Sequence, residues 1–598
     1  MLGPVFYREA ATSPRRPPLY IYRTVYVVAL IVLMCTAWLI LTGTQIIRDV
    51  GDMARFGAVL FQILAPLQLA LIIFLSALVA ASNVSQEKDR RTLILLLMTR
   101  LSNSELVVGK LMASLLNVLV MLVAGLPVFL AVTLFGGVSY GQVARVFLAT
   151  LATALASGSL GCLLAFWREK TFQTLALTAL TLLCWLAVGE AVRVAAAEDA
   201  TIAGVSPVVL AAMISPYRGL ENALSPVASM PGFYGYLLFA FGVAAVLNTV
   251  AVLRVRIWNP SREVRPGQHQ DEAAAEQAAR QAFDEISAMQ QGHIDSHVDT
   301  SHSKSRTVWD NPILWREVCT WAYGRKVLVI RAVYLLLFAA TAYALHQGLA
   351  PVAAEGLASR LASSGLVAPF CVLSLVIINA LAVTSVTNER DGQALDLLLA
   401  TDLSPKEFVY GKMFGVLWVT KEMVLLPLAL FGYLFWRGDL GAEPLVFLAI
   451  GLLVLDVFVA MLGIHCGMGY ANSRNAIGVS LGTVFFLFLG VVTCMLMMIS
   501  FSGSFKSQLA PFLAFILGGW AGLFVSLGVR NQSSAIGWAS LLLPFATFQA
   551  ITSFLLGESL SVFLIIVGVY GFTIAAMLMP AIGEFDIAMG RTQQGGDA

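Results

Sequence analysis

The chain has 598 residues and a formal net charge of +2, and 59% of its residues are hydrophobic while only 12% are charged. This charge is too sparse to cover the surface of a water-soluble protein of this size, which excludes the large soluble enzymes. The 7 cysteines stand singly, without the spacing of a metal site or of a disulfide framework. We therefore expect a protein of the lipid bilayer, with no metal site and no nucleic-acid partner.

Apolar runs of about 20 residues recur along nearly the whole chain, and each is long enough to cross a hydrocarbon core of about 30 Å. In the first half they cover 26–46, 57–81, 111–135, 143–166, 175–192 and 233–253. In the second half they cover 327–344, 366–386, 413–434, 444–469, 476–500 and 559–582. We predict an all-α fold, a polytopic transmembrane helical bundle of about 12 spans.

Two further apolar stretches, 510–529 and 536–556, could either span the membrane or re-enter it, and they would bring the number of spans to about 14. The Pro-containing segments 206–220 and 543–551 interrupt apolar sequence late in each half. Such breaks are tolerated only where protein or water covers the backbone, so we expect re-entrant elements there.

Most Lys and Arg residues fall in the loops of one side if the N-terminus is cytoplasmic, which agrees with the positive-inside rule. The residues before the first apolar run are rich in Arg and Pro, and that run is long enough to span, so no cleavable signal peptide is expected. We predict a multi-pass protein of the cell membrane (inner or plasma membrane) with a cytoplasmic N-terminus.

Segments 82–110 and 384–412 match without a gap at a constant offset (389 − 87 = 302). The match includes charged positions, such as Glu87 with Glu389, which a chance alignment of two apolar helices would not reproduce. We predict two parallel units, residues 1–258 with six spans and residues 309–598 with six or more, related by an axis along the membrane normal. A cytoplasmic polar linker, residues 259–308, joins them.

The loop between the second and third spans of each unit, 84–108 and 386–410, carries the most informative pattern. Each loop opens with charges, continues with a short leucine run and ends in a Ser-x-x-Glu capping box that starts the next helix. The first loop contains Glu87, Asp89, Arg90, Thr92, Leu95, Leu96, Leu97 and the capping pair Ser102 and Glu105. The second contains Glu389, Arg390, Asp391, Leu397, Leu398, Leu399 and the capping pair Ser404 and Glu407. Because each leucine run is too short to span the membrane, we expect it to lie at the membrane–water interface or to pack against another protein.

This order of Glu, mixed charges, a leucine run, Thr, Leu-Ser and Gly-Lys resembles the first cytoplasmic loop of ABC transporter permeases of the type-2, exporter-like class. The resemblance implies that each short helix is a coupling helix, which docks on an ATP-binding subunit present in two copies or as a heterodimer. It also implies export as the direction of transport. Arg100, Gln393 and Ala394 stand where the family usually has Pro, Gly and Thr, and these departures could weaken one docking surface relative to the other.

The resemblance also implies an amphipathic interface helix before each unit, which carries Arg8 and Glu9 in the first and Arg316 and Glu317 in the second. In that family such a helix touches the ATPase. A surface helix anchored at the lipid headgroups by aromatic residues fits these positions equally well.

The chain lacks a phosphate-binding loop of its own. The segments Gly109-Lys110-Leu111 and Gly411-Lys412-Met413 lack the hydroxyl that would bind Mg²⁺. We therefore expect no catalytic residue and no cofactor on this chain, with ATP and Mg²⁺ bound by the partner subunit.

Two other functions stay open. A gradient-driven secondary transporter would need titratable groups near the membrane midplane. Asp456 and Glu422 could line such a path, although local pairing explains them more simply. A non-transporting membrane scaffold also fits the sequence, which indicates no particular substrate.

Overall fold

The computed structural model describes residues 3–12, 17–44, 49–90, 92–195, 206–259, 309–319, 327–348, 357–392, 394–399, 403–500, 509–528, 533–583 and 585. These residues form helices and their connections, and no strand occurs among them. The linker predicted at 259–308 lies outside the described residues except for Asn259, which follows the last helix of the first unit.

The helices of the first unit follow the predicted apolar runs. They are α1 (Pro4–Thr12), α2 (Pro17–Thr44), α3 (Val50–Asp89), α4 (Thr92–Leu97), α5 (Asn103–Thr133), α6 (Tyr140–Trp167), α7 (Thr171–Ala195), α8 (Pro207–Ile214), α9 (Pro216–Leu224) and α10 (Met230–Trp258). The segment predicted to re-enter the membrane, 206–220, falls in α8 and α9, two short helices that meet at Ser215.

The helices of the second unit begin with α11 (Pro312–Cys319), α12 (Val327–Gly348), α13 (Leu357–Asp391), α14 (Ala394–Leu399), α15 (Pro405–Val419) and α16 (Lys421–Trp436). They continue with α17 (Ala442–Gly469), α18 (Ser473–Ser500), α19 (Leu509–Leu527), α20 (Ser534–Leu555) and α21 (Ser559–Ile565). A π-helical turn, Ile566–Tyr570, then joins α21 to α22 (Gly571–Gly583), so that the last span runs from Ser559 to Gly583.

Within the described residues, 12 helices are long and apolar enough to cross a membrane. This confirms the predicted all-α polytopic bundle, although the twelve are 11 of the predicted runs together with α20, which covers the stretch 536–556. The stretch 510–529 forms a shorter apolar helix, and two further details differ. The run 413–434 is divided between α15 and α16, which are bent by 56° at Thr420, where the backbone leaves the helical range (φ −100, ψ 21). The segment 543–551 is not a broken re-entrant element, because α20 continues through Pro544.

The repeat detected in the sequence recurs in the helix boundaries. The helices α3 and α13 end at Asp89 and Asp391, and the short helices α4 and α14 begin at Thr92 and Ala394. Each pair differs by the same offset of 302 residues (391 − 89 = 302). The boundaries of α6 and α17 keep this offset at both ends, and so do the first residues of α7 and α18.

One glycine in each unit allows two spans to pack closely. A Cβ atom on Gly161 of α6 would lie 2.6 Å from the backbone oxygen of Ala77 in α3. The same position in the second unit, Gly463 of α17, would place a Cβ 2.5 Å from the Cβ of Ala382 and 2.8 Å from the nitrogen of Val383 in α13. Small residues let helix backbones approach in this way within membranes.

Two of the contacts between the units involve equivalent helices with their roles exchanged. Helix α3 of the first unit packs against α18 of the second, and α13 of the second packs against α7 of the first. At the first contact the rings of Phe74 and Phe485 are stacked with their centroids 4.1 Å apart. This exchange is the pattern expected for a pseudo-two-fold relation between parallel repeats.

We expect Gly463→Val to destabilise the protein by about 1–3 kcal/mol, because the added atoms would overlap α13 and force the two spans apart. The thermal midpoint of the purified protein in detergent measures this loss. Gly482→Val is the matched control, since a Cβ at Gly482 in α18 has nothing within 4 Å. Equal midpoints for the two variants would contradict the packing described.

Candidate coupling site

The two loops predicted to couple the chain to a partner lie side by side at one end of the bundle. Arg90 of the first loop forms an ion pair with Asp391 of the second, with 3.4 Å between Nη2 and Oδ1. Asp391 is nearly buried, whereas the Arg90 side chain is about half exposed. We call this end of the bundle the loop end, and the contact places α4 and α14 on the same side.

In the first unit the charges of the loop are bound to neighbouring helices. Glu87 forms an ion pair with Lys110 of α5, and the Thr171 hydroxyl at the start of α7 donates to the Asp89 carboxylate. Lys88 donates to the backbone oxygen of Arg168, 2.9 Å away, just beyond the end of α6. The charged end of α3 is thus tied to three spans of its own unit.

The second unit repeats this arrangement and adds a second carboxylate. Lys412 of α15 contacts Glu389 at 2.6 Å and Glu317 at 2.7 Å. Arg316 pairs with the same two carboxylates. The Lys412 side chain is 1% exposed and that of Glu317 is 2% exposed, so this pair lies in the protein interior, while Arg316 and Glu389 are partly exposed.

The second of the predicted interface helices, α11, therefore contributes to a buried ionic cluster. Burial by itself would lower the pKa of the Arg316 guanidinium, but the carboxylates of Glu389 and Glu317 more than offset it, and the pKa is raised. Glu317 is committed to Lys412 and lacks the exposure needed to touch a partner. In α1 the Arg8 side chain is exposed, while the Glu9 side chain lies outside the described part.

Arg390 shows how closely the two loops correspond. Its guanidinium donates to the carbonyl oxygens of Tyr470 and, at 3.3 Å, Met468 at the end of α17. Lys88 donates to the equivalent oxygens, those of Arg168 and Phe166, at the end of α6. A cation in this place satisfies carbonyls that have no partner within their own helix.

The short helix α4 divides the predicted leucine run between two faces. Leu97 is 3% exposed and packs inward, as does Leu93. Leu95 is 65% exposed and Leu96 is partly buried. Together with Ile94 at 41% and Met98 at 63%, Leu95 forms an exposed apolar surface at the loop end, which we call the α4 face.

Thr92 lies at the start of α4, and its hydroxyl donates to the Glu87 carbonyl at 3.3 Å. In α14 the Leu398 side chain is partly buried. The side chains of Leu397 and Leu399 lie outside the described residues, so their docking role stays a prediction.

Both capping boxes are present at the helix starts that follow. The Ser102 backbone N–H donates to Glu105 at 3.0 Å, and the Glu105 N–H donates to Ser102 Oγ at 3.3 Å. Ser404 and Glu407 make the same two bonds at 2.8 and 3.2 Å. These bonds give α5 and α15 defined first turns directly after the short helices.

Arg256, near the end of α10, joins the loop to the last span of the first unit. Its guanidinium donates to the carbonyl oxygens of Leu97 at 3.2 Å and Leu101 at 3.1 Å, and to Asn103 Oδ1 at 2.7 Å. Sequence reasoning missed this residue because more than a hundred positions separate it from the loop. The one sequence feature that could have indicated this contact is the position of an Arg in the last turn of a span.

The two polar residues considered for a transport path have different surroundings. Glu422 forms an ion pair with Arg331, with 3.3 Å between its oxygen and the Arg331 Nε. This is the local pairing that the sequence left open. Asp456 in α17 is 2% exposed, and neither carboxylate oxygen has a hydrogen-bond partner within the described residues.

We expect Lys412→Met to destabilise the second unit by about 3 kcal/mol or more, because it removes a cation from two buried carboxylates. Unfolding of the purified protein in detergent measures the loss. Lys110→Met is the matched control and is expected to cost less. Among the described residues Lys110 has one carboxylate partner, Glu87, and the Glu87 side chain is 26% exposed. A smaller loss for Lys412→Met than for Lys110→Met would contradict the assignment.

Comparison with known protein families gives a match, which lies in the first unit. Residues 22–216 match the family described as ABC-2 family transporter protein. No curated protein and no solved structure shows a significant match. The matched region runs from α2 to the first residue of α9 and contains α4 together with the ion pair of Glu87 and Lys110. The chain is thus a multi-span helical membrane protein whose residues 22–216 match the ABC-2 family transporter model. This match confirms the resemblance for the first unit, which contains the first of the two loops.

Proposed function

We propose that this chain is the membrane-spanning permease subunit of an ABC exporter, with two permease units fused in tandem and driven by separate ATP-binding subunits. One such subunit docks on α4 and the other on α14, so that the loop end faces the cytoplasm. ATP and Mg²⁺ are bound and consumed in the partner. The α4 face is the observation that carries the proposal. It exposes the apolar side chains of Ile94, Leu95 and Met98 next to the charged residues that open the loop.

The α4 face suits docking because its support is rigid. Leu93 and Leu97 anchor the helix to its own unit, in a core with Val84, Leu106 and Val255. The Arg256 hydrogen bonds fix the end of α4 to α10, and the ion pair of Glu87 and Lys110 joins α3 to α5. A push on α4 therefore moves α3, α5 and α10 together as one body.

Relative movement of the two units is the second part of the mechanism. They contact each other through α3 with α18 and α7 with α13, and also through α2 with α19 and α7 with α12. At the loop end they contact each other through Arg90 and Asp391. When ATP binding draws the two partner subunits together, α4 and α14 approach, and the units rotate about these contacts. Rigid-body motion of this kind alternates access to a path between two halves.

A gradient-driven transporter is the second candidate, favoured by the buried carboxyl of Asp456, which has no hydrogen-bond partner in the described part of the chain. A buried ionisable group in a span is a candidate for ion coupling. This alternative gives no role to the exposed α4 face or to the lysine–glutamate ion pairs that support the loop in each unit. Activity in vesicles that have an ion gradient but lack ATP and partner subunits would favour it over the ATP-driven mechanism.

We expect Leu95→Asp to weaken binding of the ATP-binding subunit by about 30-fold, or about 2 kcal/mol, since a charge would replace the central apolar contact. Affinity between the purified proteins in nanodiscs measures the effect. Leu134→Asp is the matched control: Leu134 is 81% exposed and follows α5 at the end opposite the loops. If both variants bind the partner like the parent protein, the α4 face is not the docking site.

We expect Arg256→Ala to leave docking in place but to loosen the support of α4. Amide hydrogen exchange between residues 97 and 103 should accelerate about tenfold, because charged hydrogen bonds of this kind contribute about 1.5–3 kcal/mol each. Partner ATPase activity should then respond less to substrate. Arg254→Ala, an exposed cation on the same helix, should leave the exchange unchanged. Unchanged exchange in Arg256→Ala would show that α10 does not hold the loop.

A further inference from the structure

The second unit contains an apolar cavity of about 310 Å³, within the range of sites that hold small ligands. Helices α13, α17, α18, α20 and α21 and the π-helical turn surround it. Its lining is hydrocarbon apart from one methionine sulfur and the hydroxyls of Thr547 and Tyr570. The Thr547 hydroxyl already donates to the Leu543 carbonyl at 2.7 Å. A charged or strongly polar ligand would find no partners there, and its burial would be costly.

The cavity lies deep in the bundle, away from the loop end. On α18, which starts at the loop end with Ser473, the lining runs from Val484 to Met495. At 1.5 Å per residue this is about 15–35 Å from the loop end. An apolar cavity at this depth is within reach of the hydrocarbon core of the bilayer.

The last span shapes one wall of the cavity through its π-helical turn. Ile565, Ile566 and Tyr570 all line the cavity at this turn, and the ring of Tyr570 packs edge-on against Phe458 at 5.0 Å. Single π turns inside helices occur frequently at functional sites. Phe554, another lining residue, is 61% exposed, so the cavity has an opening on the outer, apolar surface of the bundle.

Another wall is shared with the contact between the two units. Val491, Met495 and Ile551 line the cavity and also belong to, or pack against, the core cluster that contains Leu60 and Phe61 of α3. Rotation of one unit against the other would therefore change the shape of the cavity. A ligand held there would experience the motion that the loops are proposed to drive.

The first unit differs at corresponding positions. The offset of 302 residues places Thr153 and Trp185 where the second unit has Leu455 and Leu487. The Thr153 hydroxyl is bonded to the Tyr236 hydroxyl, and the Trp185 indole donates to the Ile214 carbonyl at 2.8 Å. These polar side chains join α6 to α10 and α7 to α8, whereas their counterparts in the second unit leave a purely apolar wall.

We propose that this cavity binds the hydrocarbon chain of an amphiphilic, lipid-like molecule, which is the substrate carried by the transporter. The inference rests on the proposed transport function and specifies its substrate class. The polar head of such a molecule would remain at the opening near Phe554, while the chain fills the apolar interior. An occupied cavity regains the dispersion contacts that an empty one lacks.

The test uses the full chain in phospholipid nanodiscs with a lysophospholipid that carries a photoactivatable diazirine in its acyl chain. Labelling should be saturable and should map to α18, α20 and the last span by peptide mass spectrometry. Val562→Trp and Ala550→Phe, which fill the cavity from two different helices, should each reduce labelling about tenfold through lost chain contacts. Leu564→Trp is the matched control, because Leu564 is 59% exposed on the outer surface of the same span.

Two results would overturn the proposal. In the first, labelling rises in proportion to the mole fraction of the probe, and unlabelled bilayer phospholipid competes with the probe equally well. This result would show ordinary contact with bilayer lipid. Labelling that persists in both cavity-filling variants, with thermal midpoints like that of the parent, would place the chain elsewhere. The assay needs no ATP-binding subunit, so its failure leaves the docking proposal intact, and the Leu95→Asp experiment can fail without affecting it.

Discussion

The contact between a buried lysine and a carboxylate in the last turn of the second span of each unit determines the geometry of the loop end. Lys110 holds Glu87, and Lys412 holds Glu389 together with Glu317. Removing one partner from such a pair leaves the other charge unpaired and poorly solvated, which is energetically costly. The pairs fix the point at which an apolar span turns into a charged loop, and the short helix that follows takes its position from them.

The two units share this contact but support it differently. In the second unit α11 inserts Glu317 beside Lys412, and the closely packed Gly411 and Gly415 of α15 give it room. In the first unit Arg256 ties the loop to α10, through groups of Leu97, Leu101 and Asn103. The ion pair of Arg90 and Asp391 then connects the two supports. The two loops are thus in direct contact at the loop end.

Patterns that are local in sequence were predictable. Continuous apolar runs gave most of the spans, matched charges gave the repeat, and Ser-x-x-Glu gave both capping boxes. Features that depend on packing were not. The leucine run of α4 reads as one apolar element, yet Leu97 faces the core and Leu95 faces outward, because a helix turns by 100° at each residue. The bend at Thr420, the burial of Glu317 and the reach of Arg256 depend on neighbours distant in sequence. The cavity beside the π-helical turn is formed by five helices together, so no local sequence pattern predicts it.

The proposed mechanism requires that the two short helices at the loop end bind ATP-binding subunits. Native mass spectrometry of the chain purified with its endogenous partners, combined with cross-linking from a photoreactive residue at position 95, tests this most directly. We expect a complex of one chain with two ATP-binding subunits and cross-links from position 95 to one of them. A chain that carries no ATP-binding subunit, or one whose subunits cross-link only at the opposite end of the bundle, would contradict it.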